Sequence, residues 1–177
     1  MENDDSLPVL DGDGFSLRPL EHTDADILLA LLREPGVARW WGSYDAERLE
    51  RDFFDQSSAY TYLVIVDDVV AGVLQFHEET DPGYRHAGID ITLGERYQDR
   101  GLGTRALRRL IRYLIDERGH HRMTIDPSVH NPCAVHVYEK VGFRPVGVMR
   151  KYERDIHGEW SDGLLMDLLA EEFIDTH

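Results

Sequence analysis

A glycine pair at positions 101 and 103 is the first feature of this sequence that could bind a ligand. The stretch reads Gln98-Asp99-Arg100-Gly101-Leu102-Gly103-Thr104, and an amphipathic helical pattern follows it directly. Glycines at the start of a helix let backbone N–H groups approach an anion closely, and the helix dipole favours negative charge there. The pattern therefore predicts a site for a phosphate or a diphosphate.

Two other phosphate motifs can be compared with this turn. Residues 101–106 also fit the G-x-G-x-x-A pattern of dinucleotide-binding folds, and Asp126 follows downstream. That pattern normally follows the first strand of a long alternating β-α series, whereas several predicted strands precede it here. The P-loop pattern G-x-x-x-x-G-K-S/T is absent from the sequence. A dinucleotide site ranks last, and a glycine pair that only permits a tight turn is the structural alternative.

The net charge of the chain favours a cationic small molecule over a nucleic acid. The 177 residues include 19 Lys and Arg against 34 Asp and Glu, which gives a formal net charge of −15. Nucleic acids are bound mainly through cationic side chains that neutralise phosphates. The alternative reason for the surplus acid is solubility. The length and a hydrophobic fraction of 42% predict one globular domain over residues 15–177, after an acidic tail over residues 1–14.

The remaining compositional signals predict a cytoplasmic protein, monomeric or homodimeric, without a membrane partner. Cys133 is the single cysteine and cannot form an internal disulfide. No apolar run approaches the roughly 20 residues needed to span a bilayer, and the first residues do not resemble a signal peptide. The histidines between residues 120 and 136 lack the spacing of a zinc site, so no metal is expected.

Hydrophobic patterns predict the element order β-α-α-β-β-β-α-β-α-β-β. The predicted strands cover residues 15–20, 60–66, 69–77, 87–93, 122–126, 143–149 and 164–169. The predicted helices cover residues 23–32, 45–54, 101–118 and 131–141. This order predicts an α/β (α+β mixed) fold, in which a mixed sheet carries helices on both faces.

The motif Gln98-x-x-Gly101-x-Gly103, in this context, resembles the acetyl-CoA-binding motif of the GNAT N-acetyltransferase superfamily. Residues 40–42, 79–83, 88–90 and 126–143, taken in this order, resemble the aminoglycoside 6'-N-acetyltransferases and their near relatives. The resemblance covers nearly the whole chain. It implies the GNAT fold, whose mixed sheet is mostly antiparallel with one splayed parallel pair. It also implies transfer of acetyl from acetyl-CoA to a primary amine, the 6'-amine of an aminoglycoside.

The resemblance further implies which residues bind acetyl-CoA. The strand before the glycine turn supplies backbone groups to the pantetheine arm, and the turn itself binds the pyrophosphate. Asn131 bonds the pantetheine arm, and Tyr138 lies near the sulfur as general acid; by helical spacing alone Tyr138 would be a core residue. The implied set is Ile91, Thr92, Leu93, Gln98, Asp99, Arg100, Gly101, Leu102, Gly103, Thr104, Asn131 and Tyr138.

Asp90 and Asp126 are the candidate bases. A lysine-like amine has a pKa of about 10.4 and arrives protonated, so a carboxylate can bind it and accept its proton directly or through water. Asp90 interrupts an apolar strand just before the glycine turn, and a right-handed crossover would bring Asp126 near that strand. The structural alternatives are an Asp90 on a solvated face and a turn-forming Asp126-Pro127 pair.

Aromatic and acidic residues are the candidate walls of the substrate site, because aminoglycosides are hydroxylated polyamines. The set is Trp40, Trp41, Gln75, Glu78, Glu79, Asp81, Asp90, Asp126 and Asp162. The loop before residues 79–83 is shorter than in the resembling branch, which leaves the substrate range open. The alternatives are another amine (a siderophore hydroxylysine, a protein N-terminus or a polyamine) and a CoA-binding module without catalysis.

Overall fold

Eight strands form one sheet in residues 7–55 and 58–175, which are the parts of the chain that the computed structural model describes. The strands are β1 (Leu10–Gly12), β2 (Phe15–Pro19), β3 (Tyr60–Val66), β4 (Val69–Glu79), β5 (His86–Leu93), β6 (Arg122–Ile125), β7 (Arg144–Arg154) and β8 (Trp160–Leu169). Their spatial order is β1-β2-β3-β4-β5-β6-β8-β7. Neighbours are antiparallel except for β5 and β6, which are parallel. The predicted fold class is confirmed.

Helices cover both faces of this sheet. The helices are α1 (Ala25–Leu32), α2 (Pro35–Trp41), α3 (Ala46–Glu50), α4 (Leu102–Asp116) and α5 (Pro132–Val141). One core cluster joins Leu28 of α1 to Leu63 and Val73 of the sheet. The other joins Leu107 of α4 to Phe76 and to residues of α5. Since strand side chains alternate between faces, these clusters lie on opposite sides of the sheet.

The first strand corrects the predicted acidic tail. Leu10–Gly12 pairs with Phe15–Pro19, and Leu10 is buried. The turn between them contains Asp13 and Gly14, and Gly14 has a left-handed φ of 72°. An Asp-Gly pair between two strands is typical of a β-hairpin. The prediction missed this hairpin because it assigned residues 1–14 to a tail on the basis of their acidic composition. Residues 1–6 of the predicted tail lie outside the described residues.

The region after α1 also differs from the prediction. The prediction placed no helix between residues 32 and 45, but Pro35 begins α2 there. A proline is tolerated in the first turn because its missing N–H would have no partner within the helix. The second predicted helix, residues 45–54, begins at its Asp45 cap and continues as a single π-helical turn over Arg51–Asp55. The β3–β4 hairpin was predicted correctly, with both Asp67 and Asp68 left-handed.

The parallel pair opens into a gap at the centre of the sheet. β5 pairs with β6 only at Ala87–Met123 and Gly88–Thr124, although β5 continues along β4 as far as Leu93. Beyond Gly88, the β6 side of β5 therefore has no paired strand within the described residues. The chain leaves β6 at Asp126 and leaves β5 toward the glycine turn, so both ends of the gap carry predicted site residues.

Candidate active site

The glycine turn places unbonded backbone donors at the start of α4. Gly101 is the N-cap with a left-handed φ of 73°, and the N–H of Arg105 makes the first intrahelical bond, to the Gly101 carbonyl at 3.2 Å. By helix geometry, the N–H groups of Leu102, Gly103 and Thr104 precede that bond and point outward. A Cβ atom at Gly101 would meet no atom within 4 Å, so the space over the turn is open. These features fit a bound diphosphate.

Gln98 ties the turn to the open end of β5. Its side-chain amide donates to the Leu93 carbonyl at 2.9 Å. A cavity of about 300 Å³ beside the helix start is bordered by Arg96, Arg100 and Arg105. The Arg105 guanidinium also donates a hydrogen bond to the Asp13 carbonyl, so this side chain has a structural partner. Arg100, which belongs to the predicted acetyl-CoA set, is exposed and borders the same cavity.

Asp90 lies on β5 at the gap, opposite Gln75 of β4. Asp90 is in contact with water, but many protein atoms lie around its carboxylate and displace part of the solvent. This desolvation, together with the charges of Asp126 and Glu153, raises the pKa of Asp90 to about 7. A carboxylate with a pKa near neutrality is suited to proton transfer at physiological pH. The structure thus brings the two predicted acids together.

Tyr138 lies on α5, facing the same carboxylates. Its side chain is buried, and its ring makes an edge-to-face contact with Phe143 at a centroid distance of 6.3 Å. Burial and the charges of Asp90 and Asp126 raise the pKa of the Tyr138 hydroxyl, which therefore stays protonated. Asn131 caps α5 by accepting a hydrogen bond from the Ala134 N–H at 3.2 Å, so its amide nitrogen is left for another partner.

A cavity of about 200 Å³ lies next to this cluster. It is bordered by α2, by the loop after β6 and by the β7–β8 hairpin. The lining residues are Arg39, Trp40, Gly42, Ser128, His130, Glu153, Arg154, Asp155, Ile156, His157 and Ser161. Of these, only Trp40 belonged to the predicted substrate set. The sequence prediction ended β7 at Met149, so Glu153 and Asp155 were assigned to no element.

Glu78 was predicted to line the substrate site, and this was wrong. It lies on β4 opposite Ala87, on the face that carries Phe76, whereas Gln75 and Asp90 share the other face. Its carboxylate accepts hydrogen bonds from Arg118 and, at 2.6 Å, from the ring of His120. Burial alone would raise the pKa of Glu78, but these hydrogen bonds hold it below its ordinary value.

This partly buried ion pair predicts a stability change. Glu78→Gln should lower the free energy of unfolding by about 2 kcal/mol at pH 7, because Arg118 and His120 would lose a charged hydrogen-bond acceptor. Glu78 has a lowered pKa, so its contribution is present above its ordinary value of 4.5 and lost as the pH falls through the lowered one. Urea unfolding at pH 7 and pH 3 measures both effects. The exposed neighbour Glu79, changed to Gln, is the control, and equal stability of the two variants would refute the assignment.

The other predicted wall residues have mixed positions. Trp41 packs against the apolar cluster under α1, and Asp162 accepts a hydrogen bond from the Lys151 N–H at 2.7 Å. Glu79 and Asp81 accept hydrogen bonds from backbone N–H groups of their own loop. Gln75 faces Asp90, and its amide donates to Thr61 at 2.9 Å. Gln75 therefore lies beside Asp90, whereas the other four side chains have structural partners.

The described residues offer neither a metal site nor a membrane-spanning helix. They contain no group of three His, Cys, Asp or Glu side chains that could hold a metal ion. None of the helices in this part of the chain is long and apolar enough to cross a bilayer. Cys133 is exposed in the first turn of α5.

Comparisons with known proteins agree on one family. Residues 15–144 match the family model described as an acetyltransferase (GNAT) domain. Aminoglycoside N(6')-acetyltransferase type 1 of Klebsiella pneumoniae is 29% identical over 164 residues, covering 81% of each chain. Spermidine N(1)-acetyltransferase of Escherichia coli K12 is 26% identical over 167 residues, covering 91% of this chain and 89% of the relative.

A solved structure of AAC(6')-Ib in complex with paromomycin and acetyl-CoA superposes with a TM-score of 0.77. It is 24% identical in sequence, and the match covers 90% of this chain and 96% of that one. The likeness supports the observed fold. Because the family model covers well over half of the sequence, the chain belongs to the GNAT acetyltransferase family, as the motif around the glycine turn predicted.

Proposed function

We propose that this protein transfers acetyl from acetyl-CoA to a primary amine of a small polycation, and that the acceptor is the 6'-amine of an aminoglycoside. The observation that carries the proposal is the group of carboxylates Asp90, Asp126 and Glu153, of which Glu153 lines the cavity that also contains Trp40. An amine acceptor needs anionic groups to bind it and one group to take its proton.

The cosubstrate site is supported by the open backbone donors at the start of α4. The N–H groups of Leu102, Gly103 and Thr104 can bind a diphosphate without any cationic side chain. The unpaired edge of β5 beyond Gly88 is available to an extended pantetheine arm, as predicted for Ile91, Thr92 and Leu93. Within this proposal, Tyr138 lies at the junction between the arm and the carboxylates.

The proposed reaction is a direct attack. The ammonium group of the acceptor binds Asp126 and Glu153, and Asp90 takes its proton. The neutral nitrogen forms a bond to the acetyl carbonyl carbon, the carbon–sulfur bond breaks, and Tyr138 donates its proton to the departing sulfur. The attacking nitrogen then loses its second proton to give the neutral amide, and that proton restores the Tyr138 hydroxyl, while Asp90 releases the first proton to solvent. The N–H of Ile91 is the proposed donor to the carbonyl oxygen as negative charge develops there.

The acceptor class is supported by the shape and charge of the cavity. Trp40 supplies an aromatic wall with Arg39 over its ring, while Glu153 and Asp155 supply acceptors for further amines and hydroxyls of the acceptor. Hydroxylated rings that carry several amines match such a surface. A linear polyamine is the second candidate, because spermidine N(1)-acetyltransferase covers more of this chain at a similar identity.

A substrate panel separates these acceptors. We expect purified protein with acetyl-CoA to release free thiol with kanamycin or tobramycin faster than with spermidine, and mass spectrometry should place the acetyl group on the 6'-nitrogen. Hydroxylysine and a peptide with a free N-terminus are the remaining acceptors in the panel. Faster turnover of spermidine than of every aminoglycoside would refute the proposed acceptor, and CoA binding without turnover on any amine would refute catalysis.

A further inference from the structure

The edge strand β7 has an irregularity beside the carboxylates. Between the paired positions Met149–Gly163 and Glu153–Ser161, β7 contributes residues 150–152 whereas β8 contributes only Asp162. Lys151 adopts a left-handed φ of 51°, and its N–H donates to the Asp162 carboxylate at 2.7 Å. Bulges of this kind commonly lie next to active sites and redirect a side chain. Asp162, predicted as a substrate residue, thus stabilises the bulge.

The bulge lets two consecutive side chains reach the same carboxylate. On a regular strand, neighbouring residues point to opposite faces. Here the Tyr152 hydroxyl donates a hydrogen bond to Asp126, while the Glu153 carboxylate also interacts with the charges of Asp126 and Asp90. A regular β7 could present only one of these two side chains to Asp126.

Gly163 makes room for the Tyr152 ring. A Cβ atom at position 163 would lie 2.8 Å from the ring, which is closer than real contacts allow. Tyr152 is nearly half exposed, so burial of its ring gives little reason for this placement. Its hydrogen bond to Asp126 is the interaction that orients it.

We propose that Tyr152 is a positioning residue of the acceptor site, which holds the Asp126 carboxylate toward the incoming ammonium group and leaves Asp90 to take the proton. This inference rests on the proposed amine acetylation. The hydroxyl can do this because it donates one proton and fixes one carboxylate oxygen, while the second oxygen remains an acceptor for the substrate. Without that hydrogen bond, the Asp126 carboxylate would be free to rotate. The repulsion between the Asp126 and Asp90 charges would then increase, because no hydroxyl would offset the Asp126 charge.

The titratable groups around Asp90 come from four elements. Asp90 itself lies on β5, Asp126 follows β6, Tyr138 lies on α5, and Tyr152 and Glu153 lie on β7. The hydrogen bond to Asp126, burial and the neighbouring acids all raise the pKa of Tyr152, so its hydroxyl keeps its proton at assay pH. Tyr152 therefore acts as a constant donor to Asp126 while Asp90 changes charge near neutrality.

The first test uses the free protein and needs no turnover. Carbon-detected NMR of the Asp side chains should give a titration midpoint near 7 for Asp90 in the parent. In Tyr152→Phe we expect this midpoint to rise by about half a pH unit, because Asp126 loses the donor that screens its charge. Tyr84→Phe, in an exposed loop, is the matched control and should leave the midpoint in place.

The second test measures kcat/KM against pH with one aminoglycoside acceptor. Tyr152→Phe should lower kcat/KM about 10-fold, mainly through KM, and shift its acid limb upward by the same half unit. Because the acceptor is the same, its own ionisation cancels in the comparison. An unchanged Asp90 midpoint in Tyr152→Phe would overturn the positioning role, whatever the substrate. Absence of turnover in the parent would overturn the proposed function, while the NMR titration would still decide the role of Tyr152.

Discussion

Asp90→Asn is expected to lower kcat/KM for every accepted amine by about 100- to 10,000-fold, the range that a positioned general base contributes. The parent should lose activity as the pH falls through about 7, since Asp90 accepts a proton only when it is ionised. The variant should lack this acid limb. Steady-state thiol release between pH 5.5 and 9 would measure both effects, with the pH values chosen to bracket the expected midpoint.

The same substitution should stabilise the folded protein at alkaline pH. The pKa of Asp90 is raised above its ordinary value of 3.8, so ionisation is easier in the unfolded chain and the folded state loses stability as the pH rises through about 7. Asn removes that charge. We therefore expect Asp90→Asn to melt at a higher temperature than the parent at pH 8, although it is far less active.

Asp116→Asn is the matched control, because Asp116 is an exposed acid at the end of α4. It should leave both the activity and the pH profile unchanged. Asp126→Asn should raise KM for the acceptor more than it lowers kcat, in keeping with a binding role. Parent-like turnover by Asp90→Asn would exclude Asp90 as the base and leave Asp126 or a water molecule in that role.

The elements with strong local signals could be predicted from the sequence. The apolar stripe of α4 and the caps of α5, Asn131 and Gly142, fix those helices through interactions within a few residues. The pairing of Asp90 with Asp126 was also within reach, because a right-handed crossover connects their strands. In each case, the information lies in residues close together along the chain or in a general rule of topology.

The acceptor wall could not be predicted in the same way. Asp155 and Gly158 form the turn between β7 and β8. The residues at the end of β7 are mostly polar, so hydrophobic patterning did not assign them to a strand. The contact between Tyr152 and Asp126 depends on the bulge at Lys151. The alternation of apolar and polar residues that predicts a strand does not predict where a bulge interrupts it. Glu78 was assigned to the substrate site because the predicted strand ended at residue 77. Its side chain lies on the opposite face of the sheet because β4 continues to Glu79 and pairs Glu78 with Ala87 of β5.

Charge is distributed differently around the two proposed ligand sites. Backbone donors and the arginines 96, 100 and 105 surround the start of α4, whereas Asp90, Asp126, Glu153 and Asp155 lie at the gap and along the acceptor cavity. Backbone amides bind an anion through local geometry, so the net charge of −15 does not prevent a diphosphate site. Under the proposed function, the surplus acid raises the local concentration of a polycationic acceptor at the other site.

Tyr138→Phe is expected to lower kcat about 100-fold and to leave the affinity for acetyl-CoA nearly unchanged. The hydroxyl is held protonated by burial and by the neighbouring Asp90 and Asp126, so it can donate a proton but contributes little charge to binding. Phe keeps the edge-to-face contact with Phe143, and the fold should therefore survive the change. Equilibrium binding of acetyl-CoA and steady-state kcat would separate the two effects.

Tyr62→Phe provides the matched control for this variant. Tyr62 is also a buried tyrosine, but its hydroxyl donates to the Pro8 carbonyl at 3.0 Å, on the far side of the sheet from the carboxylates. Removing that hydroxyl should cost about 1 kcal/mol of stability and leave kcat unchanged. If both variants lose stability and neither loses turnover, then the departing sulfur takes its proton from water and Tyr138 is only a packing residue. A loss of kcat confined to Tyr138→Phe would instead assign the proton to a hydroxyl that two nearby carboxylates keep from ionising.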